Sequence, residues 1–169
     1  MAAYDRAVPE VATIGVYGFS LQTFLASLRE ADVGLVLDVR QRRGVRGSEY
    51  AWANSLRLQA ALRDAGIAYE HRRELAPTTE LRQLQYREDD RLGVGKRSRV
   101  LLAAEYRIRY IEEILDQADL GAIVARLPTD RASALLCVER DPEACHRSLI
   151  AERLAECYDA AVTHLLPPS

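Results

Sequence analysis

ALLCVERDPEACHRSLIAERL, residues 134–154, is the stretch that decides how this chain reads. Ala134 to Val138 is an apolar run without alternation, the pattern of a strand buried on both faces of a parallel sheet. Asp141-Pro142 then reads as a helix start, with Asp141 able to cap free N–H groups and Pro142 suited to the first helical position. On that reading Cys137 and Glu139 stand at the C-terminal end of a strand, and Cys145, His146 and Arg147 lie about one turn into a helix. In open α/β sheets that edge is the usual ligand crevice.

The rest of the chain repeats the strand–helix alternation. Val11–Tyr17 is a first strand, and Ser20 caps a helix whose apolar residues Leu21, Phe24, Leu25 and Leu28 recur at helical spacing. Leu35–Arg40 is a second buried strand, running into a loop crowded by Arg40, Arg42, Arg43 and Arg46. Tyr50–Ala65 reads as one helix ended by Gly66, and Ile67–His71 as a third strand. Residues 75–99 are polar and interrupted by Pro77, Gly93 and Gly95, which predicts a long functional loop or lid with a short helix around Glu80–Tyr86. Helical spacing returns over Val100–Ala118, a short helix is expected near Leu120–Leu127, and Ala160–Leu165 supplies a last strand.

This order predicts one α/β domain over residues 1–169, with three α/β/α layers and a mostly parallel, Rossmann-like sheet of five strands. Right-handed crossovers bring the strand C-termini to one edge, where Tyr17, Asp38, Arg40, His71, Cys137, Glu139 and His164 would share a crevice.

Composition narrows the function classes. The hydrophobic fraction of 49% and charged fraction of 28% are ordinary for a globular chain. No apolar run approaches the roughly 20 residues of a membrane-spanning helix, and MAAYDRAVPE lacks the apolar core of a signal peptide. The expectation is a cytoplasmic protein without a membrane partner. Three cysteines are an odd number for a disulfide framework. A net charge of −2 argues against a strongly cationic nucleic-acid binder, although a local basic patch leaves nucleic acid open as a partner. No Walker-type loop or Gly-x-Gly-x-x-Gly loop is present, so ordinary nucleotide-cofactor binding is not expected, and no cofactor is assigned.

Five segments together carry a family likeness: TIGVYGFSLQTFL (13–25), LVLDVR (35–40), GIAYEHRRELAP (66–77), ALLCVERDPEACHR (134–147) and VTHL (162–165). In order and spacing the chain resembles the domain of unknown function 488 family, and its most specific part is the Cys-x-Glu, then Asp-Pro-x-x-Cys-His-Arg signature. Where many relatives carry Gly-Gly, this chain has Ala76-Pro77 after Leu75. The resemblance implies a fold but no activity, so the residues themselves must argue function.

Glu139, at a strand end, is a candidate general acid or base, with His71 and His146 as alternative proton carriers; a salt bridge to an arginine is the competing role for the carboxylate. Cys145 is a reserve nucleophile if the helix dipole and Arg147 favour its thiolate, and otherwise a small buried residue. Arg40, Arg43 and Arg147 suit bidentate recognition of phosphate, Tyr17 faces the same edge, and Asp38 is expected to orient a guanidinium rather than react. Cys137, Cys145 and His146, completed by His71 or His164, suggest zinc. Their spacing is poor for it, because the neighbours Cys145 and His146 would struggle to reach one ion together, so no metal is expected. The leading expectation is an enzyme acting on an anionic, phosphate-bearing substrate such as a nucleotide or nucleic-acid component. A noncatalytic nucleotide or nucleic-acid sensor and a zinc- or thiol-dependent protein are the alternatives.

Overall fold

The computed structural model describes residues 7–169; residues 1–6, the first part of the stretch compared with a signal peptide, lie outside the described residues. Five strands form one all-parallel sheet: β1 (Glu10–Ile14), β2 (Val33–Asp38), β3 (Ala68–His71), β4 (Ala132–Leu136) and β5 (Ala161–Leu165), in the spatial order β3-β2-β4-β1-β5. Six α-helices connect them: α1 (Leu21–Glu30), α2 (Ser55–Asp64), α3 (Thr79–Leu92), α4 (Ala104–Glu113), α5 (Leu120–Arg126) and α6 (Arg147–Tyr158).

Side chains alternate across a strand, so each central strand serves two cores. Ile14, Val36, Ala134 and Leu136 pack with Phe24 and Leu28 of α1 and Leu58 and Leu62 of α2. Leu35, Leu37 and Leu135 pack on the opposite face with Leu81 of α3, Tyr106 and Tyr110 of α4, Ile123 of α5 and Ile150 of α6. This is the expected three-layer α/β/α arrangement. The chain moves outward through β1, β2 and β3 with α1 and α2 on one face, then reverses through β4 to β5 with α3 to α6 on the other. Loops leaving β1 and β2 therefore diverge from the loop leaving β4, and a crevice opens at this switch point.

Four elements differ from the sequence expectation, one being the Val100–Ala118 stretch, which is an α-helix only over Ala104–Glu113 and breaks at Ile114 before a 3₁₀ turn at Leu115–Gln117. Residues 75–99 are not chiefly loop, because Thr79–Leu92 is a helix of 14 residues, capped by the Thr78 hydroxyl on the Leu81 N–H and ended by left-handed Gly93. Its period is hard to read because two of its four buried residues are Gln85 and Asp89, polar groups that find partners only after folding. The Tyr50–Ala65 helix divides into a 3₁₀ segment at Ser48–Ala53 and α2, broken at extended Asn54. The turn after β4 divides likewise. Pro142–Ala144 is a single 3₁₀ turn, the Asp141 side chain caps nothing, Cys145 is extended at φ −144° and ψ 147°, and α6 begins only at Arg147.

Candidate functional site

The switch-point crevice is a cavity of about 710 Å³, within the range of small-molecule sites. Tyr17 from the loop after β1, Arg40, Arg42 and Arg46 from the loop after β2, and Cys137, Glu139, Cys145 and His146 from the loop after β4 line it, with Arg82, Gln85 and Tyr86 of α3 and Gly95, Lys96, Arg97 and Arg99 opposite. The β4 loop is held between its neighbours. The Val16 and Tyr17 N–H groups both donate to the Val138 carbonyl at 2.9 and 3.0 Å, and the Val39 N–H donates to the Leu136 carbonyl at 3.0 Å.

Gly15 makes that junction possible. A Cβ there would stand 1.9 Å from the Glu139 carbonyl oxygen, so only a residue without a side chain lets the Glu139 backbone approach β1. From the other side Arg147 donates Nη1 to the Glu139 carbonyl at 2.7 Å and Nη2 to the Arg140 carbonyl at 3.1 Å. Arg147 is completely buried and does not line the cavity, which corrects its expected place as a fork on the substrate.

Asp38 and Arg40 form a buried fork of their own: Nε donates to Oδ1 at 2.9 Å, Nη2 to Oδ2 at 2.8 Å, and Nη1 to the Ala53 carbonyl at 2.8 Å. With three of its donor directions committed, Arg40 joins the cavity wall and ties the β2 loop to the 3₁₀ segment. The Tyr69 hydroxyl also donates to Asp38 Oδ2, at 2.5 Å, and receives Arg43 Nη1 at 3.4 Å. Arg43 thus turns away from the cavity, and its neighbours Arg42 and Arg46 line it instead. His71 is also outside, donating Nε2–H to the Arg40 carbonyl at 2.9 Å.

At the base, four chemistry-bearing side chains converge. Cys137 Sγ donates to Glu139 Oε2 at 3.4 Å, His146 Nδ1 is 3.8 Å from both Cys137 Sγ and Cys145 Sγ, and His146 Nε2–H donates to the Val39 carbonyl at 2.8 Å. The kink between extended Cys145 and helical His146 brings the two neighbouring side chains together with Cys137, their donor atoms within 4.8 Å of one another, although their adjacency in sequence argued against a shared ion. Neither His71 nor His164 joins them; His164, on β5, bonds the Thr13 hydroxyl at 2.7 Å.

Burial alone raises both thiols, but their shared charge settles on Cys145. The adjacent Cys137, His146 and Arg147 hold Cys145 well below an ordinary thiol against its burial, and the Arg147 N–H at the start of α6 donates to its sulfur at 3.5 Å. Cys137 is pushed well above, by burial first and then by its neighbour's charge. Burial would depress His146, but Cys145 and the Val39 carbonyl outweigh it and leave the imidazole raised.

Sequence reading missed the groups opposite. Arg99 is buried, forking onto Asp89 and reaching Glu139 Oε1 at 3.3 Å. Lys96 is the chain's single lysine. Burial would lower its ammonium, yet the Glu139 charge and the Tyr86 and Cys137 groups together raise it, so it stays charged. Arg97 stacks on Tyr17 and Tyr50 at 5.3 and 5.2 Å and pairs with Glu49 at 3.1 Å, closing one rim of the cavity. Lys96 carried a signal in its uniqueness; Arg97 and Arg99 did not stand out among so many arginines.

Among the described residues, seven Arg and Lys side chains line the cavity against one carboxylate, Glu139. Among the described residues Arg40, Arg97 and Arg99 have carboxylate partners, whereas Arg42, Arg46, Arg82 and Lys96 have none, Arg82 donating instead to Gln41 Oε1 and the Tyr86 hydroxyl. Such a cavity attracts anions. No described helix is long and apolar enough to cross a membrane.

A family model described as "Domain of unknown function DUF488" matches residues 20–154. Comparison with the curated proteins and with the solved structures found no match.

Proposed function

This chain belongs to the DUF488 family, and from the geometry of its site we propose an enzyme acting on an anionic, phosphate-bearing substrate of nucleotide or nucleic-acid type. The observation that carries the reading is the charge pattern of the cavity: four cations without carboxylate partners face the single carboxylate Glu139 across a space of small-molecule size. Arg42, Arg46, Arg82 and Lys96 bind the phosphate oxygens. Guanidinium forks suit that geometry, and a lysine adds a point charge. The faces of Tyr17 and Tyr86, both on the lining, offer stacking for an attached base.

At the base Glu139 moves the proton of the reacting group. Arg99 and Cys137 fix its two oxygens separately, at 3.3 and 3.4 Å, so the carboxylate is oriented toward the cavity before substrate arrives. Cys145, its thiol held below the ordinary range beside His146, is the group best placed to attack or to coordinate.

A mixture of nucleotides and phosphoesters incubated with the wild type and with Glu139→Gln, read by mass spectrometry, tests the proposal. The wild type is expected to retain and consume a phosphate-bearing compound, and the variant to retain it while turning over roughly 10²–10⁴-fold more slowly, the range typical of general acid–base catalysis. Retention without consumption by the wild type would make the protein a sensor instead. Failure to retain any anion would end the reading.

A further inference from the structure

Three donors at the cavity base are arranged as a metal centre, and we infer that Cys137, Cys145 and His146 together bind a single zinc-class divalent ion. Their ligand atoms lie within 4.8 Å of one another. An ion with tetrahedral bonds of about 2.3 Å to sulfur and about 2.0 Å to nitrogen holds those donors roughly 3.6 Å apart. The observed distances from His146 Nδ1 to the two sulfurs are 3.8 and 3.8 Å, a few tenths of an ångström from that spacing, and the two sulfurs, within 4.8 Å of each other, have about 1 Å or less to close.

The histidine is already set in the orientation a ligand needs. Its Nε2–H is taken by the Val39 carbonyl at 2.8 Å, which leaves the Nδ1 lone pair turned to the thiols. A backbone carbonyl on the far ring nitrogen is the usual outer partner of a metal-bound imidazole, and it fixes both tautomer and ring angle. Two sulfurs with one imidazole select zinc-like ions over magnesium or calcium. All three donors line the cavity, as does Glu139, whose Oε2 is 3.4 Å from Cys137 Sγ but which stands outside the three-donor group. The shell therefore keeps a fourth position open beside a carboxylate, the arrangement of reactive rather than purely structural zinc sites.

The inference deepens the function proposed above: the open position takes a phosphate oxygen or a water, Glu139 handles the proton, and Cys145 serves as a ligand rather than a nucleophile. Loading an ion displaces to solvent whichever protons the two sulfurs and His146 Nδ1 hold, leaving two thiolates and a neutral imidazole to balance the dication.

Cobalt(II), whose thiolate complexes are coloured, is the probe. Reduced, metal-stripped wild-type protein titrated with cobalt(II) is expected to develop thiolate-to-cobalt charge-transfer absorption saturating at one ion per chain, displaced by zinc. Cys137→Ser and Cys145→Ser should lose the band, with binding weakened beyond the roughly 10–100-fold that removal of an outer partner costs. Cys157→Ser, whose thiol is exposed on α6 far along the helix from this cluster, should keep it. Folded wild-type protein without the band, or a band unchanged in both Cys137→Ser and Cys145→Ser, overturns the inference. Should a serine variant fail to fold by circular dichroism, the wild-type titration still decides. Phosphate-compound retention by the metal-stripped wild type is measured in parallel: it reports on the cation-lined mouth alone, so loss of the metal centre and loss of the anion site are distinguishable.

Discussion

Arg99 holds two carboxylates that come from opposite walls of the cavity: its Nη1 is 3.3 Å from Glu139 Oε1 on the β4 loop, while its Nε and Nη2 grip Asp89 on α3 at 3.0 and 2.5 Å. The two acids are unequal partners. Asp89 carries the fork and Glu139 receives one long bond, so the charge of Arg99 stays compensated when Glu139 is neutralised.

Replacing Glu139 by Gln is therefore expected to cost about 1 kcal/mol, the net worth of one hydrogen bond, whereas Asp89→Asn should cost roughly 3–5 kcal/mol by stranding a buried guanidinium. Chemical denaturation of the two variants checks the order. Equal losses would mean that Glu139 is as structural as Asp89.

Arg40 answers to the same physics. Asp38 is completely buried and Arg40 nearly so, and the Asp38 fork is the only carboxylate contact of Arg40 among the described residues. Asp38→Asn should destabilise the fold by roughly 3–5 kcal/mol, as for any buried pair broken on one side, rather than weaken anion binding in the molecules that stay folded. Calorimetry alongside phosphate binding separates the two effects.

Lys96 is the opposite case, with no carboxylate within salt-bridge distance among the described residues. Lys96→Gln is expected to leave the melting temperature nearly unchanged and to weaken pyrophosphate binding roughly 10- to 100-fold, corresponding to the 1.5–3 kcal/mol of a hydrogen bond to a charged group. Isothermal titration at two salt concentrations gives the test, and the lost affinity should be largest at low salt.

Gly15→Ala should be severe although the residue touches no substrate. Its Cβ would fall on the Glu139 carbonyl, backbone that cannot rotate away. The expected cost is roughly 1–3 kcal/mol or more of overpacking, together with a loss of activity in the folded fraction because the Glu139 loop must move off β1. Activity per folded molecule equal to wild type would show that the loop tolerates displacement.

The acidity of Cys145 has a pH signature. An ordinary thiol loses its thiolate below about pH 8.5; a lowered value keeps the thiolate, and hence its reaction with iodoacetamide, as the pH falls through and beneath that point, until the lowered value is reached. In metal-stripped protein, peptide mass spectrometry should find Cys145 alkylated well below pH 8.5. A rate that falls off at the ordinary thiol value would remove the assigned charge from this sulfur.

Much of this protein follows from local pattern. Unalternating runs such as Leu35–Val39 and Ala134–Val138 are buried on both faces, and burial on both faces requires helices above and below; this is why the three-layer parallel sheet is legible in the sequence. The same topology brings Tyr17, Arg40, Glu139 and Cys145 to one edge, because strand C-termini of a right-handed parallel sheet share it. What local pattern does not contain is the direction in which each side chain finally points. Arg42 and Arg46 line the cavity while Arg43 and Arg147 turn to Tyr69 and to loop carbonyls, since a guanidinium goes wherever the nearest buried acceptor lies. The helical period of α3 was masked by Gln85 and Asp89, whose burial is compensated by the Ala103 N–H and by Arg99 from a later part of the chain. The meeting of Cys137, Cys145 and His146 depends on one extended residue between a 3₁₀ turn and a helix. That kink is stabilised by Gly15, Val39 and Arg147, far away in sequence or on the other side of the turn. Sequence alone determined the layers and the edge; the chemistry at that edge was decided by long-range hydrogen bonds, which exist only once the strands stand side by side.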